Sequence, residues 1–130
     1  MAELTVNVVS AERALWSGPA KSVVAKTPEG EIGILAGHEP VLALLVEGPL
    51  RIEQPDGSKL LVAVHGGFFS MANNEVQVIA EVAELAADIN LERAKEALAR
   101  AQAAGVEDEN AAARRAETRI AVAAAASAAR

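Results

Sequence analysis

The chain has 130 residues, of which 52% are hydrophobic and 2% aromatic, with no cysteine and a formal net charge of −6 at pH 7. This length predicts one domain of ordinary size, or a small domain with an appendage. The negative charge argues against a general nucleic-acid partner, and the absence of cysteine excludes disulfides and thiol chemistry. Neither a signal peptide nor an apolar run long enough to span a bilayer is apparent, so we expect a soluble, cytoplasmic protein.

The first part of the chain has the residue pattern of β-strands. From Leu4 to about Val82, apolar and polar residues alternate with a period of two, which is typical of half-buried strands. Turn sequences rich in glycine and proline, such as residues 28–30 and 55–58, interrupt the pattern at short intervals. Many short strands separated by frequent turns predict an all-β sandwich or barrel.

The residues that could carry catalysis do not form a recognisable site. The two histidines, His38 and His65, lack partners at the spacing of a zinc site, and no serine lies in a nucleophile-elbow motif. His65 continues a predicted strand, so we interpret it as a structural residue. His38 lies in the glycine-rich segment Gly30–Pro40, which lacks the spacing of a phosphate-binding loop. This segment therefore predicts tight turns and a shaped surface, with Glu31 as an exposed acid.

After Ala83 the composition changes to that of helices. Alanine becomes frequent, and Asn90 is a favourable N-cap for a first helix. The apolar residues of this helix recur at helical spacing, namely Leu91, Ala94, Leu98 and Ala101. Gly105 is the predicted C-cap, and a second helix is predicted from about Ala111 to Ala128. Two helices joined by a short loop predict an antiparallel hairpin.

The second predicted helix has little apolar area with which to dock. Ile120 and Val122 are its only bulky apolar side chains, and most of the others are alanine. Burial of alanine contributes little, because the hydrophobic effect scales with the area removed from water. The helix is therefore predicted to form readily and to dock weakly. It is either a loose C-terminal appendage or an element that leaves one docking site for another.

Four segments resemble one known family. Residues 30–45, GEIGILAGHEPVLALL, closely resemble the glycine-rich segment of the epsilon subunit of bacterial F-type ATP synthases. Residues 64–71, VHGGFFSM, are similar to the glycine-pair strand of that family. Residues 88–101, DINLERAKEALARA, are similar to the start of its helical hairpin, and residues 4–18, LTVNVVSAERALWSG, fit its first strand and turn.

The resemblance implies a fold and a function. The fold is a β-sandwich of about ten strands in residues 1–87, which binds the rotor, and a two-helix regulatory domain in residues 88–130. The function is that of a non-catalytic rotor subunit in the central stalk of the proton-translocating ATP synthase. Such a subunit binds the gamma subunit and the c-ring, and couples c-ring rotation to ATP synthesis in the alpha/beta catalytic hexamer. It is expected to lie peripherally on the cytoplasmic face of the bacterial plasma membrane, without membrane insertion and without a nucleic-acid partner.

The resemblance also implies roles for individual residues. Glu31 and His38 correspond to the loop that faces the c-ring. In the family the helices extend toward the catalytic subunits and inhibit ATP hydrolysis. Arg114, Arg115 and Arg119 are then the basic residues that face an acidic surface of the catalytic beta subunit. No residue is assigned a catalytic or metal-binding role.

Some members of the family bind regulatory ATP through the motif Ile/Leu-Asp-x-x-Arg-Ala, which reads INLERA at residues 89–94 here. Asparagine replaces the aspartate, and only alanine and valine occur from Ala121 to Ala126, where arginines would be needed to pair with phosphates. We therefore expect weak ATP binding or none, and no other cofactor. The candidate ATP-binding residues are Glu84, Ile89, Asn90, Arg93, Ala94 and Arg100.

The alternative from another functional class is a stand-alone β-sandwich that binds a small ligand and carries a helical tail. An enzyme is the third interpretation. Location of the gene beside that of the catalytic beta subunit, or capture of the chain by the gamma subunit, would favour the rotor subunit.

Overall fold

The computed structural model describes residues 3–104 and 107–128. In this part of the chain, ten β-strands are followed by a 3₁₀ turn at Ala86–Asp88 and two helices. The strands are β1 (Leu4–Ser10), β2 (Ala14–Ala20), β3 (Ser22–Thr27), β4 (Gly30–Leu35), β5 (Val41–Leu45), β6 (Gly48–Glu53), β7 (Lys59–Val64), β8 (Gly67–Ala72), β9 (Glu75–Ala80) and β10 (Ala83–Leu85). The helices are α1 (Leu91–Ala104) and α2 (Glu107–Ala128). This architecture confirms the predicted β-sandwich followed by a helical hairpin.

The strands form two five-stranded sheets that pack face to face. Sheet A has the strand order β2-β1-β9-β8-β5, and sheet B has the order β10-β7-β6-β3-β4. Strands β1 and β9 pair in parallel, with Val6 aligned to Val76. The other strand pairs of the described residues are antiparallel.

The hydrophobic core lies between the two sheets and is built from alternate residues of each strand. In β1, Leu4 and Val6 are buried whereas Thr5 is exposed, because successive side chains point to opposite faces of a sheet. The largest fully buried side chains are Phe69, Leu4, Ile34, Leu50, Ile52, Met71, Val6, Val8, Val23, Val62, Val76 and Val78. Aliphatic side chains from both sheets thus fill the core of a chain that has few aromatic residues.

Gly67 allows β8 to approach β9 closely. Its φ angle is +138°, a conformation that residues with a side chain rarely adopt. A Cβ atom at this position would lie 2.2 Å from the carbonyl oxygen of Ile79 and 2.7 Å from the Cα atom of Ala80. The pairing of Gly67 with Ala80 therefore depends on the absence of a side chain.

The predicted start of the first helix is confirmed, and that of the second is corrected. Asn90 caps α1, since its Oδ1 accepts a hydrogen bond from the backbone N–H of Arg93 at 3.0 Å. Helix α2 begins at Glu107 rather than at about Ala111. Residues 107–110 contain no glycine or proline that would prevent the helix from starting before Ala111. The predicted C-cap, Gly105, lies outside the described residues.

Helix α2 covers the outer face of sheet B, and α1 packs against α2. Helix α2 packs against α1 and against strands β7 and β6. It buries Ala116, Thr118 and Val122, and Val122 packs with Leu61 and Ala63 of β7. The outer face of sheet A lies on the opposite side of the sandwich, so the helices leave it uncovered.

Candidate functional site

A buried polar network lies where α2 meets the sandwich. His65 follows directly after β7, and its side chain is 3% exposed. Its Nδ1 lies 2.5 Å from Oε2 of Glu47, in the connection between β5 and β6, and its Nε2 lies 2.8 Å from Oε1 of Glu84 in β10. Burial of His65 agrees with the structural role inferred from the sequence. Its two acidic partners are a finding of the structure, because they come from distant parts of the chain.

Arg119 connects this network to α2. Its Nε donates a hydrogen bond to Oε1 of Glu84 at 2.5 Å, and the same oxygen faces His65. Burial raises the pKa of Glu84, but the hydrogen bonds from Arg119 and His65 outweigh it, so the pKa lies below its usual value of 4.5. Glu84 is therefore ionised at neutral pH and joins the sandwich to the helix.

A pocket of about 570 Å³ lies beside the network. Its lining comes from β10, from the segment before α1 and from both helices: Glu84, Asp88, Ile89, Asn90, Arg93, Ala94, Glu96, Ala97, Arg100 and Arg119. The structure thus brings together all six candidate ATP-binding residues, in a volume that suits a small organic ligand. Three acidic and three basic side chains line the pocket, so it has no excess of positive charge for binding a polyphosphate.

The three arginines assigned to regulation have different surroundings. Arg119 is partly buried and bound to Glu84. Arg114 and Arg115 are exposed on α2, and Arg114 lines a cleft of about 260 Å³ together with Lys26 of β3. In this docked position, Arg119 is engaged within the chain, whereas Arg114 and Arg115 face outward.

The segment Gly30–Pro40 is a strand followed by a turn rather than one continuous loop. Glu31 lies in β4, an edge strand of sheet B, so its predicted position in a loop is wrong. Gly33 sits in the middle of that strand. The glycines suggested a loop, but backbone pairing with β3 requires no side chain at these positions. Glu31 is nevertheless exposed, as predicted.

His38 lies in the turn that follows β4 and is also exposed. Its backbone N–H donates a hydrogen bond to the carbonyl of Leu35 at 3.1 Å, and its Nδ1 lies 2.7 Å from the carbonyl oxygen of Glu39. The N–H of Gly37 donates to Oδ1 of Asn74 at 2.7 Å, which ties the turn to the hairpin between β8 and β9. The turn therefore has a defined shape on a rigid scaffold.

Exposed apolar side chains form a row across the outer face of sheet A. Leu44 of β5 pairs with Phe68 of β8, and Phe68 pairs with Ile79 of β9. These three side chains, referred to below as the sheet A row, are 54%, 51% and 51% exposed. Val9 of β1 pairs with Ile79 and continues the row. Contiguous exposed apolar groups are typical of an interaction surface.

The described residues contain neither a membrane-spanning helix nor a cluster of metal-binding side chains. None of their helices combines the length and apolar character needed to cross a membrane. The same residues contain no group of three or more histidine, cysteine, aspartate or glutamate side chains placed to hold a metal ion.

Comparison with known proteins identifies the family. Residues 3–86 match the family model of the ATP synthase delta/epsilon chain beta-sandwich domain. The ATP synthase epsilon chain of Streptomyces avermitilis is 47% identical over 119 residues, covering 92% of this chain and 94% of that relative. This chain belongs to the ATP synthase epsilon chain family. The epsilon chain of Rhodococcus opacus is 54% identical over 100 residues, covering 76% of this chain and 82% of that relative.

Solved structures agree with this assignment. A chain of the Euglena gracilis mitochondrial ATP synthase, from a cryo-EM structure of OSCP, F1 and the c-ring, superposes with a TM-score of 0.74 at 26% identity, over 99% of this chain and 82% of that chain. A chain of the Tetrahymena thermophila mitochondrial ATP synthase central stalk and c-ring shares the fold, with a TM-score of 0.56 at 16% identity over 95% of each chain. Epsilon chains are non-catalytic subunits of the central stalk, and membership favours the rotor-subunit interpretation over the stand-alone alternative.

Proposed function

We propose that this chain couples rotation of the c-ring to ATP synthesis and restrains ATP hydrolysis through its two helices. The proposal rests on the difference between the two outer faces of the sandwich. Sheet B holds α2, which in turn carries α1, whereas sheet A exposes an apolar row on the opposite side. One face is thus suited to permanent attachment, and the other to a movable element.

The sheet A row supports attachment to the gamma subunit. Leu44, Phe68 and Ile79 come from three neighbouring strands, so the surface is held by backbone pairing rather than by a loop. Contact with a partner would remove these side chains from water, which contributes roughly 25 cal/mol per Å² of apolar area. A rigid apolar surface of this kind suits a subunit that must turn together with its partner.

The Gly30–Pro40 segment supports contact with the c-ring at a different place on the sandwich. Glu31 and His38 are both exposed there, and the hydrogen bond from Gly37 to Asn74 holds the turn in shape. Such a contact would place the chain peripherally at the cytoplasmic face of the bacterial plasma membrane. The alpha/beta hexamer would lie at the opposite end of the stalk, within reach of the helices when they leave sheet B.

The helices support regulation because their docking depends on few contacts. Val122 is the only large apolar side chain that α2 buries fully among its described residues, and Arg119 supplies a polar contact to Glu84. Arg114 and Arg115 face outward and are available to an acidic surface of the catalytic beta subunit. These features suit an alanine-rich helix that can leave its docking site on sheet B and bind the catalytic beta subunit instead.

Regulatory ATP is expected to bind weakly or not at all. The pocket gathers the six candidate residues, but Asn90 contributes no charge and Glu84 is already bonded to Arg119 and His65. The balanced charges of the lining disfavour a polyphosphate. Titration of the isolated chain with ATP, followed by calorimetry, measures this affinity directly.

The experiment that tests the proposed function is reconstitution with the alpha, beta and gamma subunits. Complexes with the full chain are compared with complexes containing residues 1–87 alone, and the content of each complex is verified after purification. We expect faster ATP hydrolysis with the shortened chain, because the inhibitory helices are missing. An unchanged rate in a complex that contains the shortened chain would contradict regulation by the helices.

A second comparison locates the inhibitory charges. Replacing Arg114 and Arg115 with alanine should raise hydrolysis in the same direction as the truncation but by less, and the effect should diminish at high salt. Exchange of the exposed Lys59 of β7 and Lys95 of α1 for alanine serves as a matched control, since it also removes two positive charges but not from α2. An equal effect of the control would show that total charge, rather than its position on α2, matters.

A further inference from the structure

Asn74 lies where the hairpin of β8 and β9 meets the turn that carries His38. The loop of this hairpin consists of Asn73 and Asn74, since β8 ends at Ala72 and β9 begins at Glu75. The φ angles of the two asparagines are +52° and +62°, as a two-residue type I′ turn requires. Asparagine adopts positive φ angles more readily than most residues, so the backbone accounts for its presence at both positions.

The side chain of Asn74 makes a contact that its backbone conformation does not require. Its Oδ1 accepts a hydrogen bond from the backbone N–H of Gly37 at 2.7 Å. A backbone N–H pairs only with an acceptor, so the oxygen of the amide, and not its nitrogen, faces Gly37. The carbonyl oxygen of Asn74 also accepts a bond from the N–H of Thr5 in β1 at 2.8 Å. Asn74 is half-buried, whereas Asn73 is exposed.

The turn at residues 36–40 connects β4, an edge strand of sheet B, to β5, an edge strand of sheet A. The bond from the N–H of His38 to the carbonyl of Leu35 is local. A Cβ atom at Gly37 would have no neighbour within 4 Å, so little packing holds the turn there. Among the hydrogen bonds of the described residues, the bond to Asn74 joins this turn to a distant part of the chain. The position of His38 therefore depends on the Asn74 side chain.

We propose that Asn74 is a positioning residue for the c-ring contact, because its Oδ1 holds the turn that carries His38 against the hairpin of β8 and β9. These two strands also bear Phe68 and Ile79 of the sheet A row. A force applied at the turn thus reaches sheet A by two routes, along β5 and through this hydrogen bond. The inference rests on the proposed c-ring contact, and it adds to that contact a residue outside the segment Gly30–Pro40.

Three substitutions separate the side chain of Asn74 from its backbone. Asn74→Gly removes the side chain and keeps the hairpin, because glycine accepts a positive φ angle and Asn-Gly is a favoured sequence for a type I′ turn. Asn74→Asp keeps the acceptor oxygen, and a carboxylate accepts hydrogen bonds more strongly than an amide. Asn73→Gly is the matched control, since it makes the same exchange at the neighbouring, exposed position of the loop.

Amide hydrogen exchange of the isolated full-length chain, measured by NMR, tests the hydrogen bond. Asn74→Gly should raise the exchange rate of the Gly37 amide by about fivefold, as expected for the net loss of one hydrogen bond. Asn74→Asp and Asn73→Gly should stay close to the wild type. An unchanged rate in Asn74→Gly, an equal rise in Asn73→Gly, or no rescue by Asn74→Asp would overturn the proposal. A rise accompanied by loss of protection in β8 and β9 would trace it to the hairpin and overturn it as well.

Proton-driven ATP synthesis by the complete complex, reconstituted in membranes, tests the functional role. We expect a partial loss of synthesis with Asn74→Gly and wild-type synthesis with Asn74→Asp and Asn73→Gly, in complexes verified to contain each variant. Joint replacement of Glu31 and His38 by alanine tests the proposed contact itself. If this double variant impairs synthesis but Asn74→Gly does not, the positioning role is wrong and the contact stands. If the double variant has no effect, the c-ring contact is wrong, and the positioning role is overturned with it.

Discussion

Arg119 of α2 donates a hydrogen bond to Glu84 of β10, with its Nε 2.5 Å from Oε1. This bond joins the helical part of the chain to the sandwich through two partly buried charges. Few large apolar contacts accompany it, because α2 is rich in alanine. The position of the helix therefore depends in part on polar interactions, which respond to pH and salt.

Replacement of Arg119 by alanine should loosen α2 without unfolding the sandwich. Hydrogen bonds to charged groups contribute more than neutral ones, but these two side chains are 30% and 28% exposed, so solvent screening reduces the contribution. We expect about 1 kcal/mol, or roughly a fivefold increase in the exchange rate of α2 amides. Arg115→Ala is the control, since Arg115 is exposed on the same helix. Equal rates in the two variants would show that the bond to Glu84 does not hold the helix.

Acid should also release α2. The pKa of Glu84 is lowered in the docked state, so its contribution to docking is present above the usual value of 4.5 and is lost as pH falls through the lower, docked value. The methyl resonances of Val122, which packs against Leu61 and Ala63, report the docked fraction in an NMR titration. Glu84→Gln should dock less well at neutral pH and lose this acid transition. An unchanged acid transition in that variant would assign it to another group.

Disruption of the sheet A row should weaken attachment to the gamma subunit while leaving the fold intact. Phe68→Ser removes the central side chain of the row, which is exposed, so stability should change by no more than about 0.5 kcal/mol. Binding to purified gamma should weaken by at least about tenfold, as expected for a central aromatic contact. Leu35→Ser is a matched control, because Leu35 is 63% exposed but lies in β4 of the other sheet. If the two variants bind gamma equally well, the row is not the gamma-binding surface.

Gly67 and Gly33 should differ sharply in their tolerance of a methyl group. A Cβ at Gly67 would lie 2.2 Å from the carbonyl oxygen of Ile79, whereas a Cβ at Gly33 has no neighbouring atom within 4 Å. Gly67→Ala should lower the free energy of unfolding by roughly 1–3 kcal/mol or more, because the new Cβ clashes with β9 and because alanine disfavours the positive φ angle. Gly33→Ala should be close to neutral. Urea denaturation of both variants measures the difference, and similar midpoints would contradict the close approach of β8 and β9.

The sequence was sufficient to predict most strands and the order of the two parts, because alternation and helical spacing are local properties. The alternation of β7 predicts that Leu61 and Ala63 share one strand face, and in the structure both pack against Val122 of α2. The strand β4 was missed as a strand, since its glycines resemble a loop. Only its pairing with β3, which is a tertiary contact, makes it a strand.

The polar network could not be predicted in the same way. Glu47, Glu84 and Arg119 are separated by long stretches of chain, and no local pattern in the sequence connects them to His65. The sequence indicated a structural role for His65 and a basic surface role for Arg119, but no sequence pattern shows that one glutamate oxygen contacts both side chains. Such convergence is a property of how the sheets and the helix pack.

The parallel pairing of β1 with β9 has a consequence for how the protein folds. Thr5 aligns with Glu75 and Ser10 with Ala80, so sheet A forms only after residues far apart along the chain have met. Pairing of this kind is slow, because the entropy of closing a long loop is lost before the contacts form. The contacts between α1 and α2, by contrast, are close in sequence and form quickly. During synthesis on the ribosome, β1 and β2 emerge first, and their pairing with β9 is possible only after most of the sandwich has been made. The helices emerge after all the strands, so the sheet face on which α2 docks is already available to them.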